Sequence, residues 1–184
     1  MFEGYHTDKN TVHSYSQFYT NLIRHYNDKS LIKGTLLELG VRFGGGCAAF
    51  KHSLPGFSII GVDSRDDINP TYASAFTFVK GNLFSEDVLR VLRGYKYDII
   101  VDDMSHNISD MIVAFNTLSE YLHLGGNYVI EDISRPGFSI PFILSNLKDK
   151  DQYSWEHIDL SEVPSGTGHI NRFDNHILWF TKHG

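Results

Sequence analysis

Thr35-Leu36-Leu37-Glu38-Leu39-Gly40-Val41-Arg42-Phe43-Gly44-Gly45-Gly46 decides the fold of this chain. Its apolar start is too short for a helix and runs straight into glycines. That pattern is a buried strand turning tightly into a helix. Four more strands follow the same logic: Ile59 to Asp63, Phe76 to Val79, Tyr97 to Asp102 and Asn127 to Asp132. Between and before them, apolar residues recur at helix spacing: Phe18, Leu22, Ile23 and Tyr26, then Ile112, Phe115, Leu118 and Leu122, which Gly125-Gly126 stop. Pro141 to Lys148 reads as a further helix. Ser154 to Leu160 and His176 to Thr181 read as two late strands, separated by the turn-rich Pro164-Ser165-Gly166-Thr167-Gly168. Such alternation predicts an α/β domain with a largely parallel sheet and helices on both faces.

The chain has 184 residues, 41% of them hydrophobic, enough for one domain spanning 1–184 with a packed core. Residues 1–30 are expected to form an N-terminal helical lid segment. The net charge of −6, with no Lys/Arg run, argues against a nucleic-acid partner. No apolar run reaches membrane-spanning length. Cys47 is the only cysteine, so no internal disulfide forms and a cytoplasmic setting is expected. It follows the glycine loop, where a thiol can be acidified, but packing is the simpler role. Trp155 and Trp179, in the late strands, are expected in the core. Homo-oligomerisation stays open.

Glycines between a strand and a helix let a ligand approach the main chain closely. The spacing of Gly40, Gly44 and Gly45 is not that of a dinucleotide fingerprint. With no pyrophosphate to cradle, the loop Glu38 to Gly46, Arg42 included, better suits the amino-acid end of S-adenosylmethionine. Asp63 ends the second strand, 23 residues beyond Gly40, near the offset of about 20 at which a carboxylate reads ribose hydroxyls. Gly81-Asn82, past the third strand, is a candidate for the adenine edge. A plain turn at the glycines and a cap at Asp63 are the competing explanations.

Asp102-Asp103-Met104-Ser105-His106 follows the fourth strand and Glu131-Asp132 the fifth. Parallel strands open their carboxyl ends on one edge, so these residues are expected to converge there. Clustered carboxylates repel unless a cation neutralises them, and a hard divalent ion such as Mg²⁺ suits carboxylate oxygens. His106 has the residue type for a general base near neutral pH. Alternatively, Asp102 and Asp103 cap the next helix while Glu131 and Asp132 pair with Arg135 or Lys148.

These residues, with Gly125-Gly126-x-Tyr128-Val129-Ile130 and the late Arg172-x-Asp174-Asn175, resemble the metal-dependent sugar O-methyltransferases of macrolide biosynthesis. Rhamnosyl methyltransferases and cephalosporin-hydroxylase-like proteins are relatives of that group. Tyr5-His6-Thr7-Asp8-Lys9, followed by His13-Ser14-Tyr15, looks like the family's Y-G-T-D-K…H-x-Y segment, which lies over the crevice. The resemblance implies a Rossmann-like class I methyltransferase fold with a seven-stranded, mostly parallel sheet. It further implies that Asp103, Glu131 and Asp132 hold Mg²⁺ and that His106 is the base. S-adenosylmethionine would be bound by Gly40, Gly44 and Asp63, with Glu38, Arg42, Gly45, Gly81, Asn82, Asp102, Thr7 and Lys9 around them. The expected reaction is methylation of a hydroxyl on a sugar or glycosylated small molecule. His6 and Met104 depart from the family pattern, and the chain is short for it. Two alternatives are a hydroxylation-associated enzyme on the same site and a cofactor-binding accessory subunit without catalysis.

Overall fold

The computed structural model describes residues 1–28 and 33–184. The last two residues of the expected N-terminal segment 1–30 therefore lie outside it. Among the described residues seven strands form one sheet: β1 (Gly34–Leu39), β2 (Phe57–Asp63), β3 (Thr77–Lys80), β4 (Tyr97–Asp102), β5 (Leu122–Ile130), β6 (Tyr153–Asp159) and β7 (His176–Lys182). Their order is β3-β2-β1-β4-β5-β7-β6. The first five run parallel, and β7 is antiparallel to both β5 and β6. The helices are α1 (Ser16–Asp28), α2 (Gly45–Ser53), α3 (Glu86–Leu92), α4 (Ile108–Leu118) and α5 (Pro136–Asn146). This is the seven-stranded Rossmann-like sheet of class I methyltransferases.

Strand residues alternate between two cores, which is why the strands read as continuous apolar runs. Leu37, Leu39, Ile60, Val62 and Ile100 pack with Met111, Phe115 and Leu118 of α4 and with Ile140 and Ile143 of α5. Leu36, Ile59, Ile99 and Val101 face the other way, toward Tyr19, Leu22, Ile23 and Tyr26 of α1 and Phe50 of α2. A buried polar node ties this second layer together. Asn127 donates to the Tyr26 hydroxyl at 2.5 Å and accepts from Trp179 Nε1 at 2.6 Å, while Tyr26 donates to the Asp98 carbonyl at 2.7 Å. Among the described residues no helix is long and apolar enough to cross a membrane.

Three local expectations change. Leu122 begins β5 rather than closing a helix, because α4 ends at Leu118 and tightens into a 3₁₀ turn at Ser119–Tyr121. Gly125 and Gly126 then lie inside β5, at a bulge marked by the register jump from Tyr97↔Leu122 to Ile99↔Asn127. Helix α5 starts five residues before the expected Pro141, at Pro136, whose fixed φ suits a first helical turn. Finally, Trp155 is half exposed rather than in the core.

Candidate active site

The strand order reverses between β1 and β4, and in an open parallel sheet a ligand crevice forms outside the carboxyl ends at that point. Backbone bonds carry the register one residue past the strands. Gly40 donates to Val62 O (2.8 Å), Asp103 to Leu39 O (2.9 Å) and Glu131 to Asp102 O (3.0 Å). Two adjoining clefts open there, of about 550 and 600 Å³, sharing Gly40, Asp63, Arg65 and Met104. Each has the size of a small-molecule site. The first reaches Glu38, Arg42, Thr7, Asp103 and His106, and the second reaches Gly81, Asn82, Ser105 and Asp110.

Glycine is required at the first turn. Gly40 has φ +81, and a Cβ there would lie 2.0 Å from the Asp103 carbonyl oxygen. Gly46 leaves room for Glu38 in the same way, its added Cβ falling 2.3 Å from Glu38 Oε1. Asp63 Oδ2 faces the loop and accepts from Arg42 N (2.8 Å), while Oδ1 accepts from Arg65 N (2.9 Å) in the turn after β2. A carboxylate has about four acceptor positions, so ribose hydroxyls remain within its capacity. Glu38 is buried, and its Oε2 is the one buried side-chain atom without a hydrogen-bond partner among the described residues. An orphaned acceptor beside the cleft fits the ammonium of an amino-acid ligand.

Four expected cofactor residues sit elsewhere. Gly45 packs against the His6 backbone and Gly44 against the Phe76 ring, so both shape the turn without lining either cleft. Asp102 points into the core, where Tyr128 donates to it at 3.3 Å and burial pushes its pKa up to about 8. Lys9 is buried beneath the cleft among carboxylates. Cys47 is fully buried, and burial followed by the Glu38 charge pushes its thiol up, leaving a packing residue.

The acidic half divides its oxygens into two sets. On the inner side, Lys9 Nζ meets Asp103 Oδ2 at 2.6 Å, Glu131 Oε2, and Glu38 Oε1 at 3.4 Å. Tyr19 donates to Glu131 Oε1 (2.6 Å) and Tyr15 to Asp132 Oδ1 (2.6 Å), which His13 Nδ1 also approaches at 3.3 Å. On the outer side, His106 Nε2 lies 3.0 Å from Asp132 Oδ2 and 3.6 Å from Asp103 Oδ1. Ligand atoms of Asp103, His106 and Asp132 all lie within 4.8 Å of one another. The cation-capable group is thus Asp103, Asp132 and His106. Glu131, expected as a ligand, lies behind this group with one bond to each oxygen, from Lys9 and from Tyr19. Neither Arg135 nor Lys148 pairs with Glu131 or Asp132 among the described residues, and Asn107, not an aspartate, caps α4.

Electrostatics follow this geometry. Burial opposes the Lys9 ammonium, but Asp103, Glu131 and Glu38 outweigh it and raise its pKa. Burial alone would raise Asp103; Lys9 and then His106 bring it down to about 2. Burial raises Glu131 and Asp132. Hydrogen bonds to Asp103 and then Asp132 push His106 up to about 11. His106 (φ 55) and Asp132 (φ 58) both hold left-handed backbone, a sparsely populated conformation that concentrates at functional sites.

Sequence reasoning gave Tyr15, Tyr19 and His13 no polar role. The available signal was three ring residues with polar tips at an N-terminal segment expected to lie over acidic strand ends, since a buried Tyr hydroxyl seeks an acceptor.

The fold is the Rossmann-like fold of class I methyltransferases, and similar proteins narrow the comparison. No family model matches the chain. It is 27% identical over 135 residues to 8-demethyl-8-alpha-L-rhamnosyl tetracenomycin-C 2'-O-methyltransferase of Streptomyces olivaceus, covering 69% of this chain and 35% of that one. It is 31% identical over 126 residues to Mycinamicin VI 2''-O-methyltransferase of Micromonospora griseorubida, covering 62% and 32%. Among solved structures it resembles MycE methyltransferase from the mycinamycin biosynthetic pathway in complex with Mg, SAH and mycinamycin VI. That match has TM-score 0.62 and 23% identity, covering 92% of this chain and 49% of the other. Cofactor-bound Rv0187 from MTB matches with TM-score 0.65 and 14% identity, over 92% and 81%. The chain spans about a third of the length of these curated relatives.

Proposed function

We propose that this chain is an S-adenosylmethionine-dependent O-methyltransferase acting on a hydroxyl of a sugar or glycosylated small molecule, assisted by a divalent cation. The observation that carries the reading is the convergence of Asp103, Asp132 and His106 beside a cleft also lined by Gly40, Asp63 and Glu38. Glu38 would receive the cofactor's ammonium, and Asp63 would hold its ribose. Gly81 and Asn82 border the adenine end in the second cleft. Asp103 and Asp132, with Glu131 beside them, would hold Mg²⁺, a hard cation that suits carboxylate oxygens. A divalent ion there would supply Lewis acidity toward an acceptor hydroxyl, and the cofactor would supply the methyl group.

His106 Nε2 takes the hydroxyl proton. Asp103 and Asp132 beside it raise its affinity for that proton. The N-terminal segment, with His6, Thr7, Asp8, Thr11 and Val12 along the first cleft, covers the cofactor as a lid. The curated relatives, named as sugar O-methyltransferases, support the sugar-bearing acceptor.

The test supplies S-adenosylmethionine, Mg²⁺ and a panel of deoxysugar-bearing acceptors. S-adenosylhomocysteine release is expected, lost with excess chelator and lost in His106→Ala, which keeps S-adenosylhomocysteine binding in calorimetry. Turnover retained by His106→Ala removes the base; turnover indifferent to chelator removes the ion.

A second reading, a cofactor-binding accessory subunit, is favoured by the ion pairs that Lys9 and His106 already make with the acidic cluster. It predicts S-adenosylhomocysteine binding with no turnover on any acceptor.

A further inference from the structure

The chain leaves the sheet at Asp132, and its main-chain bonds show how it is held there. Glu131 N donates to Asp102 O at 3.0 Å and Ile133 N to His176 O at 3.2 Å. Asp132 N, between them, donates instead to the Tyr15 hydroxyl at 3.2 Å. The same hydroxyl donates to Asp132 Oδ1 at 2.6 Å. One phenol thus accepts from the main chain and donates to the side chain of a single acid. Asp132 has φ 58, a sparsely populated conformation that persists only where neighbours fix it. Tyr15 itself is 1% exposed and lines neither cleft, and the His13 ring stacks on it at 4.8 Å.

We infer that Tyr15 is a positioning residue whose hydroxyl fixes both the backbone and the carboxylate of Asp132, so that Oδ2 faces His106 and the crevice. With Oδ1 held on the inner side, Oδ2 stands 3.0 Å from His106 Nε2. A ligand oxygen oriented by an outer hydrogen bond meets a cation without losing further side-chain freedom, and deleting such a partner costs about 10–100-fold in metal affinity. This rests on the cation-assisted reading above. Tyr15 acts through Asp132 alone, which separates it from the residues that line the clefts.

Tyr15→Phe removes the hydroxyl and keeps the ring that His13 stacks on. Mn²⁺ titration, followed by calorimetry and by electron paramagnetic resonance of the free ion, reads the effect without any methyl transfer. Tyr15→Phe should bind Mn²⁺ roughly tenfold more weakly than wild type. S-adenosylhomocysteine, titrated without metal, should bind within about twofold of wild type, because Glu38 and Asp63 are not involved. Tyr26→Phe deletes another buried hydroxyl of the same layer, away from the acids, and should leave Mn²⁺ affinity within about twofold. Adding Tyr15→Phe to Asp132→Asn should weaken Mn²⁺ binding no further than Asp132→Asn does, since the hydroxyl acts through that carboxylate.

Unchanged Mn²⁺ affinity in a folded Tyr15→Phe chain overturns the inference, as does an equal loss in Tyr26→Phe. A further loss in the double variant also overturns it, by showing that Tyr15 acts elsewhere. If Tyr15→Phe does not fold, the double variant decides by the same comparison with Asp132→Asn; failure of both to fold makes Tyr15 a packing residue and ends the inference. A wild-type chain that binds no Mn²⁺ removes the ion from the proposed function, an outcome distinct from an unresponsive variant.

Discussion

Gly40→Ala is the sharpest test of how the first strand meets the site. Two costs add at this position. The left-handed backbone, φ +81, disfavours any Cβ by about 1 kcal/mol. The new Cβ would also stand 2.0 Å from the Asp103 carbonyl oxygen and 2.7 Å from its carbon. Both are main-chain atoms at the end of β4, so no side chain can rotate away. One strand end must move by about an ångström, and forced insertion into packed structure costs about 1–3 kcal/mol. The expected loss is therefore about 2–4 kcal/mol. Gly125→Ala supplies the control: its φ is +77, but nothing lies within 4 Å of the added atom. It should cost about 1 kcal/mol, the conformational part alone. Urea unfolding of both variants, followed by far-UV circular dichroism and by fluorescence of Trp155 and Trp179, gives the two free energies. Equal losses would refute the close approach of Gly40 to Asp103, and with it the geometry that joins the cofactor loop to the acidic cluster.

Asp63→Ala should weaken S-adenosylhomocysteine binding about tenfold or more in calorimetry, as expected for removing a carboxylate that binds hydroxyls. Unaltered affinity would place the ribose elsewhere. Tyr26→Phe deletes the hydroxyl shared by Asp98 O and Asn127, at about 1–2 kcal/mol in urea unfolding; a neutral change would show that water replaces it. His176 is buried beside His157 and Asp159, and burial lowers its pKa below 6.5. Its neutral form is favoured by folding, so the stability it contributes is present above pH 6.5. That contribution is lost as pH falls from 6.5 through the lowered folded value. His176→Gln should flatten this window in melts at stepped pH. An unchanged slope would assign the acid sensitivity to other groups.

Sequence and structure agree best where periodicity carries the information. Leu36, Leu37 and Leu39, Ile59 to Val62 and Ile99 to Val101 are apolar on both faces because both faces are covered, and that pattern is visible without coordinates. Agreement weakens where one residue type serves two structures. Gly125-Gly126 suits a helix stop and a strand bulge equally. Pro141 suggested a helix start although the turn had already begun at Pro136. Parallel topology correctly brought Asp103, His106 and Asp132 to one edge.

Topology could not say which of those acids would face the ligand, because that depends on partners far away in the chain. Glu131 and Asp132 are adjacent, and successive side chains at a strand end point apart. Asp132 turns to His106, while Glu131 turns inward to a lysine 122 positions earlier. Burying that carboxylate as a charge without a partner would cost several kcal/mol, which the inner cation offsets. Lys9 is that cation, and the N-terminal segment consequently cannot leave the acidic cluster without exposing unpaired charge. A lid that opens freely would therefore have to hinge after Lys9. Lys9 and Tyr15 would remain seated on Asp103 and Asp132 while Thr11 and Val12, between them, move away from the cleft.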